Sequence, residues 1–229
     1  MPVIPIYVDI WHSNATGVYS GVVANGNGNS DDSRNLNNTG LRGLQETNKM
    51  GIVQFKTIFP GHYGGRTNKL HRFLHFVDCR RMNQSNPCSH TTTTMPALPT
   101  RTIPCQVSSQ VGQLFFDQSL QADVETYEPY SSNTQALTSN AQCMILASEA
   151  NTSDRMMEYV LLGDCVTDRI LGWIRIGIDP TETRNAGATP TYYRVGGLQA
   201  GVSGFMGPEG GDSTMTVSLT SGSSPAVQG

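Results

Sequence analysis

Residues 171–179 read Leu-Gly-Trp-Ile-Arg-Ile-Gly-Ile-Asp, and their alternation decides the fold class. Ile174, Ile176 and Ile178 fall on one face and Trp173, Arg175 and Gly177 on the other, the period of two that a half-buried strand needs. Working outward, residues 3–11 (Val-Ile-Pro-Ile-Tyr-Val-Asp-Ile-Trp) and 53–59 (Val-Gln-Phe-Lys-Thr-Ile-Phe) are short, β-branched and aromatic, and bounded by Gly, Asn or Pro. That is the pattern of strands. Residues 70–77 predict another strand, and Phe115-Phe116 closes one more. Two helices are expected, at 118–127 and at 154–162 with Ser153 as N-cap. With 24 Gly and 12 Pro to make turns, the balance predicts an all-β sandwich with long loops.

The chain has 229 residues, 37% hydrophobic and 14% charged, enough for one ordinary domain with a buried core. Fifteen Lys and Arg against 18 Asp and Glu give a net charge of -3, which excludes wrapping a nucleic-acid backbone or an anionic membrane. The apolar runs at 144–147 and 159–162 are far shorter than the roughly 20 residues of a membrane span. Cysteines at 79, 88, 105, 143 and 165 contain no C-x-x-C pair, so spacing gives neither a zinc site nor a disulfide framework. Asn14, Asn37, Asn83 and Asn151 each begin an N-x-S/T acceptor for glycosylation in a secreted chain. No signal peptide is expected in the opening residues, which lack a basic and an apolar region.

Residues 25–38 (NGNGNSDDSRNLNN) predict a solvated loop. Residues 78–106, with four consecutive Thr at 91–94, predict an exposed, atypical insertion. From residue 200 onward Gly, Ser and Thr dominate, so the sandwich is expected over 1–199 and a flexible tail over 200–229.

Two segments carry chemistry. Residues 8–21 read VDIWHSNATGVYSG and residues 59–67 read FPGHYGGRT; each ends a strand with Gly near a Tyr, and the second leads into a strand carrying His71 and His75. Two phenols and an imidazole are thereby brought towards one place. On residue type alone, Tyr19 and Tyr63 read as aromatics at the core edge with a bonded hydroxyl.

These segments resemble the intradiol ring-cleavage dioxygenases, in particular the secreted fungal-type branch related to the protocatechuate 3,4-dioxygenase β subunit and the catechol dioxygenases. VGQLFFDQ at 111–118, YVLLGD at 159–164 and WIRIGID at 173–179 share the resemblance, which extends over 6–24, 39–75 and 111–193. It implies a β-sandwich with one ferric ion, Fe(3+), held by two phenolates and two imidazoles. Two phenolates and a hydroxide neutralise the ion's three charges, so that it can be buried. Tyr19 matches the first phenolate and Tyr63 the second, the one displaced by catechol. The family's His-x-His pair falls on Lys69 and His71, so the second imidazole is present and a lysine stands at the first. His75 is four strand residues from His71, about 13 Å away, and His62 points to the face opposite Tyr63. Arg66 matches the arginine beside the substrate ring and Gln113 the glutamine lining the oxygen side, while Asp9, Trp11 and His12 read as packing and supporting residues. The resemblance also implies a further N-terminal part, where here eight residues precede Asp9.

The function so implied is iron-dependent cleavage of a catechol between its two hydroxylated carbons with O2, giving a cis,cis-muconate, by a secreted enzyme. Lys69 favours an alternative: a metal-poor relative that binds phenolics or polysaccharide.

Overall fold

The computed structural model describes residues 6–23, 33–76, 107–108, 110–151, 154–179, 184–185, 191–193 and 196–198. The predicted insertion at 78–106, the predicted tail, the 25–32 part of the expected loop, the side chain of His75, and Cys79, Cys88 and Cys105 lie outside them. Four antiparallel strands make the main sheet in the order β2 (Arg42–Glu46), β1 (Ile6–Trp11), β3 (Lys69–Phe76) and β5 (Gln110–Phe115). Among the described residues there are also three two-stranded pairs: β4 (Val107–Ser108) with β8 (Arg184–Asn185), β6 (Glu158–Leu161) with β7 (Ile170–Trp173), and β9 (Thr191–Tyr193) with β10 (Gly196–Leu198). Two short helices, α1 (Gln118–Val124) and α2 (Met144–Ala150), follow β5. The all-β expectation holds.

Strand alternation gives the main sheet two different faces. Ile6, Val8 and Ile10 of β1, Leu70 and Leu74 of β3 and Leu114 of β5 form one buried cluster. Val53, Phe55, Met157 and the row Ile174, Ile176, Ile178 close over it. Each such aliphatic side chain contributes about 1.5–3 kcal/mol when fully buried. The isoleucine row keeps the alternation read from the sequence, although the paired strand, Ile170–Trp173, ends just before it. One charged residue shares this aliphatic face: Arg72, between Ile10 and Gly112 in the ladder and 1% exposed. Burial, then the neighbouring Arg155, lowers its guanidinium pKa to about 10, so it stays charged at neutral pH.

Three expectations are corrected. Residues 53–59 pair with no strand; Val53 and Phe55 instead lean on the core edge, while Ile58 is 45% exposed. Residues 154–162 are not a helix, because 158–161 pair with β7 and alternate, Tyr159 and Leu161 packing towards Phe116, Leu120 and Val124 while Glu158 and Val160 face out. Cross-strand pairing outweighs local helix preference here. The solvated loop at 25–38 contains a 3-10 turn, Ser33–Asn37, whose Asn35 is 4% exposed and donates Nδ2 hydrogen bonds to the Tyr19 and Val22 carbonyls, both at 2.6 Å. The run at 144–147 belongs to α2, unforeseen because only Ile145 of that helix is buried.

Helix α1 begins where expected. Asp117 is its N-cap, its carboxylate accepting from the Leu120 N–H at 2.9 Å and the Ser119 hydroxyl at 2.6 Å. Burial raises the Asp117 pKa, but bonds from Ser119, the Leu120 backbone and Tyr159 outweigh it and leave the carboxyl below its ordinary value. A folded-state pKa below the unfolded value stabilises above about pH 4, and the benefit is lost as pH falls through the folded value. Asp117→Ala is expected to cost about 1 kcal/mol in urea unfolding at pH 7. The penalty should vanish near pH 2; an equal penalty there would assign the effect to packing.

Candidate functional site

The second face of the sheet carries the candidate site. Trp11 on β1, His71 on β3 and Gln113 on β5 lie side by side across three strands, and Lys69 lies two residues before His71, opposite Phe115. Trp11, Lys69, His71 and Gln113 are each 1% exposed or less.

The loop leaving β1 returns Tyr19 beneath Trp11. Asn14 builds that loop: its Oδ1 accepts from the Thr16 N–H at 3.0 Å and the Val18 N–H at 2.9 Å, and its own N–H donates to the Val18 carbonyl at 2.9 Å. Gly17 permits the reversal with φ of +79°. The loop carrying Tyr63 packs directly on it. Ser13 Oγ donates to the Gly61 carbonyl at 2.7 Å, the Gly61 N–H to the Asn14 carbonyl at 3.1 Å, and a Cβ at Gly61 would collide with the backbone at Asn14 and Ala15. The two phenols are thus fixed relative to each other by backbone contacts.

At the centre, the Tyr19 ring stands edge-on to Trp11 (centroids 4.9 Å), to Tyr63 (5.4 Å) and to His71 (5.5 Å). Lys69 Nζ lies 5.7 Å from the Tyr63 ring centroid. Tyr63 and Arg66 are bridged across a Gly64-Gly65 turn, Gly65 having φ of +77°, which keeps Arg66 half-buried beside the phenol. Tyr19, Tyr63, His71, Lys69, Arg66 and Gln113, the residues singled out in the sequence, therefore belong to one neighbourhood.

Its electrostatics follow from burial. Desolvation holds the Tyr19 phenol well above its ordinary pKa, with Tyr63 adding to the rise. Desolvation also raises Tyr63, against Tyr19 and the Arg66 charge, which pull it down. His71 is pushed well below its ordinary value by burial and then by Lys69, His12 and Arg66. The imidazole is accordingly neutral, yet among the described residues neither ring nitrogen has a hydrogen-bond partner, and neither end of the Gln113 amide has one. An unpartnered buried polar group is costly, so an imidazole held in this way suits a ligand that takes its lone pair. Among the described residues no three His, Cys, Asp or Glu cluster together, so a metal here relies on the phenols for its anionic donors.

The remaining residues of the motifs support these. Asp9 pairs with Arg42 at 2.9 Å, and the Arg42 guanidinium lies 5.6 Å from the Trp11 ring centroid. His12 bonds Thr57 Oγ1 at 2.7 Å and the Ser13 carbonyl at 2.8 Å. His62 turns away from the phenols to pair with Glu125 at 2.8 Å, anchoring the Tyr63 loop to α1. Asn35, which holds the Tyr19 backbone, escaped the sequence reading because a buried Asn in a polar run looks like every other Asn. Cys143 and Cys165 are free thiols.

The fold has solved counterparts. An intradiol ring-cleavage dioxygenase from Tetranychus urticae superposes with a TM-score of 0.56 at 24% identity, over 79% of this chain and 74% of that one. A second dioxygenase crystal structure superposes with a TM-score of 0.54 at the same identity and coverage. No protein-family model and no curated protein matches the chain. The fold is that of the intradiol ring-cleavage dioxygenases, as the motifs led us to expect.

Proposed function

We propose that the chain is a secreted, non-haem iron(III) intradiol dioxygenase acting on catechol-type diols. The observation that carries the reading is the convergence of two buried phenols on an imidazole without any hydrogen-bond partner. Tyr19, Tyr63 and His71 would hold ferric iron, with Lys69 beside them. When bound, the iron supplies a Lewis acid that chelates the diol and makes its ring reactive towards O2. Trp11 and Tyr19 wall the centre from water. Tyr63, 5% exposed against 0% for Tyr19 and next to the Gly64-Gly65 turn, would be the phenol that moves aside and takes up a diol proton at Oη. Arg66 balances negative charge gathering on the ring, and the unspent Gln113 amide meets oxygen atoms on the far side. In the net reaction the ring bond between the hydroxylated carbons breaks and both atoms of O2 enter the muconate, with no outside reductant. The four glycosylation acceptors support secretion.

A second reading, a metal-poor protein that binds phenolics or polysaccharide, is favoured by the cationic side chain of Lys69 among the donors. Titration with ferric iron separates them. A phenolate-to-iron band in the visible is expected, shifted by catechol and weakened in both Tyr19→Phe and Tyr63→Phe. A folded chain that stays colourless at saturating iron would overturn the enzyme reading in favour of the second.

A further inference from the structure

The reverse side of β3 carries a second cluster that the dioxygenase reading leaves unused. Arg72 lies on the aliphatic face, 1% exposed, and its Nη1 donates to Gln110 Oε1 at 3.0 Å. Its buried Nε has no hydrogen-bond partner among the described residues. Arg155 comes alongside from the strand-like stretch that bonds to β5 through the Arg155 carbonyl and the Phe115 N–H at 3.0 Å. Its side chain is 10% exposed and meets Glu149 of α2 at 3.1 Å. Gly112 makes room for both guanidinium groups: a Cβ there would lie 3.0 Å from Arg155 Nη1 and 3.2 Å from Arg72 Nη2.

Two permanent cations thus share the space above one glycine, and the carboxylate of Glu149, which pairs with Arg155 and also acts on Arg72 through its charge, balances one positive charge of the two. Like charges at this range repel, and guanidinium N–H groups taken from water need acceptors. The forked donors of two arginines match the oxygens of one bridging anion. We propose that Arg72 and Arg155 form a binding site for a small oxyanion, phosphate or carboxylate, on the face of the sheet opposite the phenols. Gln110 and Glu149 frame it, Gln110 by accepting from Arg72 and Glu149 by orienting Arg155.

Thermal unfolding and calorimetric titration of the full chain test this, with inorganic phosphate and acetate each compared against chloride at matched ionic strength. One phosphate or acetate per chain, with a saturable rise in Tm of about 5 °C, is expected. Whichever anion gives the larger rise identifies the source. Arg155→Gln and Gly112→Ala should abolish the response, the second by filling the shared space. Arg72→Met guards against simple unfolding: an apolar side chain suits its surroundings, so this variant should fold at least as well and no longer respond. An equal rise in the unmodified chain and in Arg155→Gln would reduce the effect to general anion exclusion and overturn the site. So would the absence of both heat and rise.

Discussion

Replacing Lys69 by histidine is expected to raise the affinity for ferric iron by more than the about 10–100-fold that one supporting residue around a metal is worth. Lys69 is 1% exposed, shares the face and strand of His71, and approaches the Tyr63 ring to 5.7 Å. A cation there adds to the charge that an incoming ferric ion must overcome, whereas an imidazole two residues before His71 points the same way and brings a neutral nitrogen donor. Competition against a chelator, read in the phenolate-to-iron band, measures the gain. Lys69→Gln separates the two contributions, since it removes the charge without supplying an imidazole. The expected order of affinity is His, then Gln, then Lys. If Gln equals His, loss of the cation accounts for the gain; if neither exceeds Lys, position 69 does not face the metal.

Trp11→Ala is expected to be the most destabilising single change, costing about 3–5 kcal/mol. Trp11 is fully buried, is packed by Tyr19 edge-on, lies 6.0 Å from the His71 ring and is covered by Arg42. Deleting it opens a space bordered by two of the three candidate ligands, Tyr19 and His71, so iron binding should fail together with stability. For a domain of this size the loss corresponds to about 10 °C in Tm. Trp11→Phe keeps an aromatic wall and should recover much of the loss. An alanine variant within about 1 kcal/mol of the unmodified chain would mean that the indole is not a packing element.

Much of this was legible in the sequence, and what escaped had physical reasons. Strand β1, strand β3 and the isoleucine row announced themselves because one of their faces is uniformly apolar or their alternation is strict. The hairpin β6–β7 was hidden, since the strand character of 158–161 comes from pairing with a segment twelve residues on, and a local reading sees only helix-compatible residues. Helix α2 was hidden for the converse reason, having one buried side chain and so no stripe to detect. The six site residues could be named because the motifs at 8–21 and 59–67, the strand that follows the second and the stretch 111–118 hold them at fixed spacing. Arg72 was invisible as a buried charge, for nothing in Leu-His-Arg-Phe distinguishes an arginine that turns inward from one that reaches solvent.

Strand β3 has no neutral side. A slip of one residue against β1 and β5 would send Lys69 and His71 among Val8, Ile10 and Leu114 and carry Leu70 and Arg72 among the phenols. Both outcomes strand a polar group in a place built for its opposite. The same strand that presents the candidate donors thereby proofreads the folding of the sheet: a chain paired out of step is penalised on both surfaces at once, so misregistered forms should be scarce even while the donors await their ligand.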